Sequence, residues 1–156
     1  MKTLNIDDCY RRYGRLQGAI EGGMLWREAP DWIKPLPVPD QIVLRYGGKP
    51  VYRIFSNTDI HAPLAKAFQN LIDCGAHLEL ETFDGCWNVR WIRGYPGVPS
   101  LHSFGIAVDF NASKNPLGRP GTWSPLFLSC FESAGFINGG QFPRQDFMHF
   151  QLAKLP

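Results

Sequence analysis

Two short segments in the second half of the chain carry side chains that could together bind a metal ion. Residues 100–111 contain His102 and Asp109, and residues 146–151 contain His149. Imidazole nitrogens and carboxylate oxygens are common protein ligands of Zn²⁺. The three side chains can act together only if the fold brings them to one place, so the elements that carry them decide the chemistry.

The first segment has the alternating pattern of a β-strand beginning near Gly105, in which successive side chains point to opposite faces. One face is apolar and would pack in the core: Ile106, Val108 and Phe110. The other face is small and polar: Ala107, Asp109 and Asn111. Such a strand would hold the Asp109 carboxylate rigidly, with space cleared beside it by the small residues.

The second segment alternates in the same way, with Met148, Phe150 and Leu152 on one face and Phe147, His149 and Gln151 on the other. If the two strands pair antiparallel, Asp109 and His149 face the same cleft, and His102 reaches in from the loop before the first strand. Two imidazoles and one carboxylate suit Zn²⁺ and leave a fourth position for water, which is typical of catalytic rather than structural zinc sites.

Asp146 lies three residues before His149 and so does not share its strand face. We expect the chain to bend just before Phe147 and to place Asp146 at the mouth of the strand, near the metal but not bound to it. A carboxylate there would act as general base for water and then as acid for a leaving amine.

Arginines near a predicted strand over residues 87–92 are candidates for binding substrate. Asn88 and Arg90 would share the polar face of that strand. Arg90 would bind a substrate carboxylate or stabilise an oxyanion. Arg93, at the end of the strand, is either a second substrate contact or a surface charge.

The elements around these segments indicate an α+β fold, a single small domain with a central antiparallel sheet flanked by helices. Apolar spacing predicts a helix between residues 58 and 75, and Ser124 and Pro125 would begin a second helix that Gly135 ends. Strands are predicted over residues 51–55, 78–82 and 87–92. His61 and His77 are expected to be structural.

The first third of the chain is predicted to be an irregular N-terminal arm, residues 1–49, packed on a catalytic core of residues 50–156. Four prolines make residues 30–39 an extended surface segment. Apolar residues favour packing over a free linker: Met24, Leu25, Trp26 and Trp32.

Composition excludes several classes of protein. The chain has 156 residues, 44% hydrophobic and 19% charged, as expected for one soluble domain. A net charge of +2 argues against nucleic acid as a partner, and no apolar stretch is long enough for a membrane span. The N-terminal sequence lacks the apolar core of a secretory signal, which predicts synthesis in the cytoplasm. The four cysteines lack metal-binding spacing and are expected to be reduced and buried.

The two segments that carry the proposed ligands, residues 100–111 and 146–151, resemble the zinc DD-carboxypeptidase and L-Ala-D-Glu endopeptidase family of peptidoglycan peptidases. This family includes phage endolysins and vancomycin-resistance dipeptidases. The family pattern is S-x-H-x-x-G-x-A-x-D followed by a late acidic-x-x-H, matched here by Ser100, His102, Gly105, Ala107, Asp109, Asp146 and His149. The resemblance covers residues 50–152. It implies a hedgehog-like α+β fold, with His102, Asp109 and His149 as zinc ligands, Asp146 as catalytic acid/base and Arg90 as the substrate-positioning arginine.

Two residues depart from that pattern. Family members often have Glu where this chain has Gln151, and an aromatic residue where it has Asn138. Gln151 would face the cleft, where its amide can accept a hydrogen bond from a ligand but supplies no charge. Ser100 would orient a ligand or the substrate, or else make an ordinary turn hydrogen bond.

The resemblance implies a zinc peptidase that cuts next to a D-amino acid in peptidoglycan stem peptides, and we expect it to be a monomer. The expected form is an L-Ala-D-Glu endopeptidase of a phage or prophage, which reaches the wall through a holin-made hole. Two alternatives stay open: a DD-carboxypeptidase or dipeptidase acting on cell-wall precursors, and a non-catalytic wall-binding phage module. The residues do not decide which bond is cut.

Overall fold

The computed structural model describes residues 3–15 and 29–156. Within these residues the helices are α1 (Ile6–Tyr13), α2 (Thr58–Cys74) and α3 (Pro125–Glu132), with 3₁₀ turns at Ala76–Glu79 and Leu101–Phe104. The strands are β1 (Ile33–Pro37), β2 (Arg45–Tyr46), β3 (Lys49–Pro50), β4 (Arg53–Asn57), β5 (Phe83–Gly85), β6 (Trp91–Ile92), β7 (Tyr95–Pro99), β8 (Ala107–Phe110), β9 (Phe136–Gly139) and β10 (Asp146–Leu152).

A four-stranded antiparallel sheet in the order β5-β8-β10-β9 forms the centre of the domain. The other strands form two-stranded ladders, β1 with β4, β2 with β3 and β6 with β7. This arrangement is a small α+β domain, as the sequence predicts at the level of fold class. The two strands that carry the chemical residues, β8 and β10, are neighbours in the middle of the central sheet.

The helices cover the apolar face of the central sheet. Phe68 of α2 contacts Phe110 of β8, with ring centroids 6.2 Å apart, and Phe131 of α3 contacts Phe150 of β10 at 4.3 Å. All four rings are buried. Each buried aromatic side chain contributes about 1.5–3 kcal/mol, so this layer holds β8 and β10 rigidly from behind.

Both predicted helices form, although α3 ends earlier than predicted. Asn57 Oδ1 accepts from Asp59 N at 2.9 Å and begins α2, and Gly75 ends it in the left-handed conformation at φ 79°. Ser124 Oγ accepts from Phe127 N at 3.1 Å and begins α3. That helix ends at Glu132, three residues before the predicted Gly135.

The strand predicted over residues 78–82 is wrong, since Ala76–Glu79 is a 3₁₀ turn. The side chain of Asn111 is the physical reason: its Oδ1 accepts from the backbone N–H groups of Glu81 and Thr82, and its Nδ2 donates to Glu79 O at 2.7 Å. Asn111 itself has φ 49° and follows the end of β8. Its side chain therefore holds a loop and does not belong to the polar face predicted for it.

The strand predicted over residues 87–92 is reduced to Trp91–Ile92. Asn88 N donates to His102 O at 3.0 Å, and Ser103 Oγ accepts from Arg90 N and donates to Arg90 O. The backbone before Trp91 is thus hydrogen-bonded to the turn that carries His102, and only Trp91–Ile92 pairs with a neighbouring strand, β7.

The N-terminal segment is not irregular where the structure describes it, because it contains α1, β1 and β2. The predicted extended segment is confirmed for Ile33–Pro37, which forms β1, whereas Asp31 and Trp32 form a turn. Strand β1 pairs antiparallel with β4, which begins two residues later than predicted. Tyr13 and Trp32 pack on Phe104, with ring centroids 5.8 and 6.1 Å away. Met24, Leu25 and Trp26 lie outside the described residues, and the division of the chain at residue 50 stays a prediction.

The cysteines are free thiols, and three of them, Cys9, Cys86 and Cys130, are buried as predicted. Cys74 is exposed, which corrects the expectation for that residue, because it is the last residue of α2. Among the described helices, none combines the length and apolar character needed to cross a membrane.

The Asp59 carboxylate connects α1 to α2. From its contacts we expect the stability of the folded protein to depend on pH. The carboxylate accepts from Arg12 Nε at 2.6 Å and Nη2 at 3.0 Å, and also from Tyr13 Oη. The Arg12 guanidinium lowers the pKa of this carboxyl against the opposing effect of burial. A carboxyl whose pKa is depressed in the folded state stabilises the fold above its unfolded pKa of about 3.9, and this stability is lost as the pH falls through the folded pKa.

We therefore expect Asp59→Asn to lower the thermal unfolding midpoint by several degrees at pH 6 and to have a smaller effect near pH 3. Scanning calorimetry at both pH values measures this. Asp73→Asn is the matched control, because Asp73 accepts from Gln69 within the same helix. Equal midpoint losses in Asp59→Asn at both pH values would contradict the ion pair as the cause.

Candidate functional site

His102 lies on the 3₁₀ turn that leads into β8. Ser100 Oγ accepts from His102 N at 3.3 Å, which is an ordinary turn contact. Gly105 ends the turn at φ 64°, and a Cβ there would lie 2.6 Å from Ile33 Cδ1 and 2.9 Å from Asn57 N. Glycine is needed at this position both for the left-handed backbone and for the close approach of β1 and β4.

Asp109 and His149 are directly opposite each other in the antiparallel ladder between β8 and β10. This pairing confirms the predicted antiparallel arrangement of the two segments. Because paired residues share a face of the sheet, both side chains point to the side away from the helices.

The alternation predicted for β10 fails at its beginning, because the register shifts between Asp146 and Phe150. Phe147 packs with the core and Met148 lines the cleft, the reverse of the predicted faces. Asn138 supports this irregularity, since its Nδ2 donates to Phe147 O at 2.9 Å and His149 O at 3.2 Å. The bend predicted before Phe147 therefore lies within the strand, and Asp146 is its first residue.

Three donor atoms form a nearly equilateral triangle in the cleft. His102 Nε2 is 3.1 Å from Asp109 Oδ1, His149 Nδ1 is 3.3 Å from the same oxygen, and the two nitrogens are 3.2 Å apart. All three side chains are buried, with residue exposures of 2%, 8% and 7%. This is the arrangement of a group that could hold a metal ion.

Hydrogen bonds on the far side of each ring determine which nitrogen faces the triangle. His102 Nδ1 lies 2.9 Å from Cys86 O, and a carbonyl only accepts, so Nδ1 carries the hydrogen and Nε2 has a free lone pair. His149 Nε2 lies 2.8 Å from Gln151 Oε1, which assigns the hydrogen to Nε2 and the lone pair to Nδ1. Both imidazoles are therefore oriented as ligands.

The electrostatics of the triangle favour a cation. Although burial acts to raise the pKa of Asp109, His102 and His149 hold it well below its usual range. Burial acts to lower the pKa of His149, but Asp109 and Gln151 raise it. Electron-rich atoms at this spacing repel one another unless a proton or a metal ion lies between them.

Asp146 faces the same cavity as the triangle. Its Oδ1 is buried without a hydrogen-bond partner among the described residues. Burial raises the pKa of this carboxyl, and Asp109 raises it further, while His149 and His102 act in the opposite direction. A buried carboxyl with a raised pKa and a free oxygen is suited to exchange a proton.

Arg90 and Arg93 bring positive charge to the cavity. Arg90 is half-buried, and burial lowers the pKa of its guanidinium while Asp109 partly restores it. Arg90 Nη1 donates to Trp91 O at 3.3 Å. Arg93 is exposed at the rim, and its carbonyl accepts from Arg144 Nη2 at 2.9 Å.

A cavity of about 540 Å³ joins these groups. All eight site residues that the sequence predicts line it: Arg90, Arg93, Ser100, His102, Asp109, Asp146, His149 and Gln151. The cavity is also lined by residues of α1 and of the segment just before it, among them Leu4 and Ile6. The sequence gives no signal for these residues. Phe142 was also missed, although it lies only a few residues before Asp146, and its ring centroid is 5.8 Å from that of His149.

The remaining histidines lie outside this cavity. His61 Nε2 lies 3.1 Å from Lys34 O and 3.3 Å from Ser56 O, which agrees with the structural role expected of it. His77 is in the 3₁₀ turn Ala76–Glu79 rather than before a strand.

Comparison with known protein families gives a match over part of the chain. Residues 93–152 match the model of a family described as D-alanyl-D-alanine carboxypeptidase. No curated protein and no solved structure matches the chain. The matched region contains His102, Asp109, Asp146 and His149 but is less than half of the chain, and Arg90 lies outside it. The match supports a peptidase with a peptidoglycan-derived substrate at the level of the family.

Proposed function

We propose that this protein is a zinc-dependent peptidase that hydrolyses a peptide bond next to a D-amino acid in peptidoglycan stem peptides. The observation that carries the proposal is the triangle of His102 Nε2, Asp109 Oδ1 and His149 Nδ1, inside the segment that matches the peptidase family. Asp146 beside the triangle supplies the proton-transfer group that such hydrolysis requires.

The donor set and its spacing fit zinc. A tetrahedral Zn²⁺ with bonds of about 2.0–2.1 Å holds its donor atoms about 3.3 Å apart, close to the 3.1–3.3 Å edges found here. When bound, Zn²⁺ would polarise the scissile carbonyl and make a water molecule more acidic. The three donors line the cavity, where a water molecule would complete the coordination of the ion.

The chain's own residues would divide the remaining work. Asp146 would accept a proton from the attacking water on its free carboxylate oxygen and deliver it to the leaving amine. Arg90, held by its bond to Trp91 O, would bind a substrate carboxylate or stabilise the developing oxyanion, and Arg93 at the rim would add a second positive charge.

We further propose that the enzyme is an L-Ala-D-Glu endopeptidase that works as a monomer at the cell wall, as a phage or prophage lysis enzyme released through a holin. The resemblance of the residue pattern to endolysins supports this form, and all eight predicted site residues come from one chain. A DD-carboxypeptidase is the second candidate, because the matching family model carries that description.

Mass spectrometry of muropeptides after digestion of purified peptidoglycan tests the function. An endopeptidase of this type releases fragments with a new D-Glu amino terminus, whereas a carboxypeptidase removes a terminal D-Ala. A chelator should block either product, and added Zn²⁺ should restore it. Intact muropeptides after prolonged digestion with the zinc-loaded protein would refute the peptidase and favour the non-catalytic wall-binding module.

Gln151 is expected to orient His149 in the metal site. Its Oε1 accepts from His149 Nε2, while its own Nε2 is buried without a hydrogen-bond partner among the described residues. Replacing Gln151 with Leu would leave the His149 Nε2–H unpaired and should weaken Zn²⁺ affinity about 10–100-fold. A competition titration with a chromophoric chelator measures this affinity.

Two further variants make the result specific. Gln151→Glu should bind Zn²⁺ at least as tightly as the wild type, since a carboxylate keeps the acceptor and removes the unpaired amide donor. Gln141→Leu, at an exposed position, should bind like the wild type. Wild-type affinity in Gln151→Leu would show that packing alone orients His149.

A further inference from the structure

Cys74 and Cys130 bring two thiols together at a place remote from the candidate site. Cys74 is the last residue of α2 and Cys130 lies in α3, and their Sγ atoms are 3.5 Å apart. The two helices pack on the face of the sheet opposite to the one that carries Asp109 and His149. A pairing between these sulfur atoms would therefore join the two helices without touching the cavity.

The contacts around the pair hold the helices in position for such a pairing. Asn70 of α2 donates from Nδ2 to Cys130 O at 3.1 Å and to Ser133 Oγ at 3.2 Å. These bonds fix the backbone beside Cys130. Apart from its contact with Cys130, the Cys74 thiol makes a weak contact with Leu71 O at 3.6 Å. Little interaction energy is therefore lost when the Cys74 side chain turns towards Cys130.

The two thiols differ in access, which sets the order of their reactions. Cys74 is exposed and can meet a reagent from solution, whereas Cys130 is buried with 7% of its surface exposed. Burial, together with the neighbouring Cys74, raises the pKa of the Cys130 thiol to about 11. Cys130 is therefore poorly placed to react first and well placed to react with a group already attached to Cys74.

We propose that Cys74 and Cys130 are a disulfide-forming site that closes when the protein meets a low-molecular-weight disulfide such as oxidised glutathione. The Cys74 thiolate attacks one sulfur of the reagent, forming a mixed disulfide and releasing one thiolate. Cys130 Sγ loses its proton to solvent and attacks Cys74 Sγ, which releases the second thiolate. The chain loses two electrons and two protons, and the reagent is reduced to two thiols.

The geometric change required is small. A disulfide bond is about 2.0 Å long, so the two sulfur atoms must approach by about 1.5 Å. The resulting loop joins residues 56 positions apart and includes His102 and Asp109. Closing a loop of this length restricts the unfolded chain, and we expect the thermal unfolding midpoint to rise by about 5–10 °C. This inference is independent of the proposed hydrolytic activity.

The test compares the full-length wild type with Cys74→Ser after reduction, removal of the reductant and incubation with oxidised glutathione. The wild type should become lighter by two hydrogen atoms, keep two of its four thiols, and show a peptide linking Cys74 to Cys130. Its unfolding midpoint should rise and return to the starting value with dithiothreitol. Cys74→Ser, changed at an exposed position, should keep its mass and its midpoint.

Three results would overturn the proposal. One is wild-type protein that stops as a glutathione adduct on Cys74 while Cys130 stays a free thiol. Another is a peptide map that joins a different pair of cysteines or two chains. A third is the same rise in midpoint in Cys74→Ser, which would assign the stabilisation to another group.

Discussion

Asp146→Asn should lower the rate of peptidoglycan hydrolysis about 10²–10⁴-fold while Zn²⁺ stays bound. Asparagine has nearly the shape of aspartate, so the three donor atoms of the triangle keep their positions. It cannot take a proton from water at neutral pH, and so both proton transfers assigned to Asp146 are lost. The release of new amino groups from purified cell walls gives the rate, and elemental analysis of the same sample gives the zinc content.

Asp84→Asn is the matched control for this variant. Asp84 is also a carboxylate near the triangle, but it is bonded to Thr82 Oγ1 at 2.7 Å and to Ala112 N at 2.9 Å and is not part of the proposed chemistry. Its replacement should change the rate only a few-fold. Undiminished hydrolysis by zinc-loaded Asp146→Asn would remove Asp146 from the mechanism, and loss of zinc from that variant would make it a ligand instead.

His149→Ala should lose both metal binding and hydrolysis. The substitution removes one corner of the triangle and leaves two donors, His102 Nε2 and Asp109 Oδ1, for the ion. Loss of a residue that only supports a ligand lowers metal affinity by up to roughly 100-fold. Because His149 is itself a ligand, we expect its loss to lower Zn²⁺ affinity by more than this, and hydrolysis should fall to the background rate. Competition titration with a chelator and the muropeptide assay measure the two effects.

His61→Ala separates this effect from the general loss of an imidazole. His61 contacts two backbone carbonyls and does not line the cavity, so its replacement should leave zinc affinity unchanged. A second readout is thermal stability, since a ligand that binds only the folded state raises the unfolding midpoint. Added Zn²⁺ should raise it in the wild type and in His61→Ala but not in His149→Ala. Stoichiometric zinc bound to His149→Ala with wild-type affinity would refute the metal site.

The two variants distinguish two parts of one site. Loss of His149 would remove the cation that the arrangement of lone pairs requires, whereas loss of Asp146 would remove a proton carrier and spare the cation. A protein that only binds the cell wall would lose zinc in His149→Ala. Neither variant would change its rate of wall hydrolysis, because such a protein does not hydrolyse the wall.

The candidate site was predictable because its signals are local. Alternating polarity places Asp109 and His149 on strand faces, and antiparallel pairing of adjacent strands then brings the two side chains together, as the ladder confirms. Helix α2 was predictable for the same reason, since the apolar spacing that indicates it lies within residues 58–75 and Gly75 ends it.

Three of the errors occur where a backbone segment is held by a side chain from another part of the chain. Asn111 binds residues 79–82 across about thirty positions, and Ser103 binds Arg90 across thirteen. Strand propensity cannot detect such a partner. The amide of Asn138, which supports the irregular start of β10, reversed the faces predicted for Phe147 and Met148 in the same way.

The amino-acid sequence by itself determined the three proposed ligands, the nearby Asp146 and the α+β class, because residue type and short-range periodicity carry that information. Only the tertiary structure decided which nitrogen of each imidazole faces the metal position, which residues of α1 close the cavity, and that Cys74 lies beside Cys130. These features depend on hydrogen bonds and packing between segments tens of residues apart. Such contacts form only when the whole chain has folded.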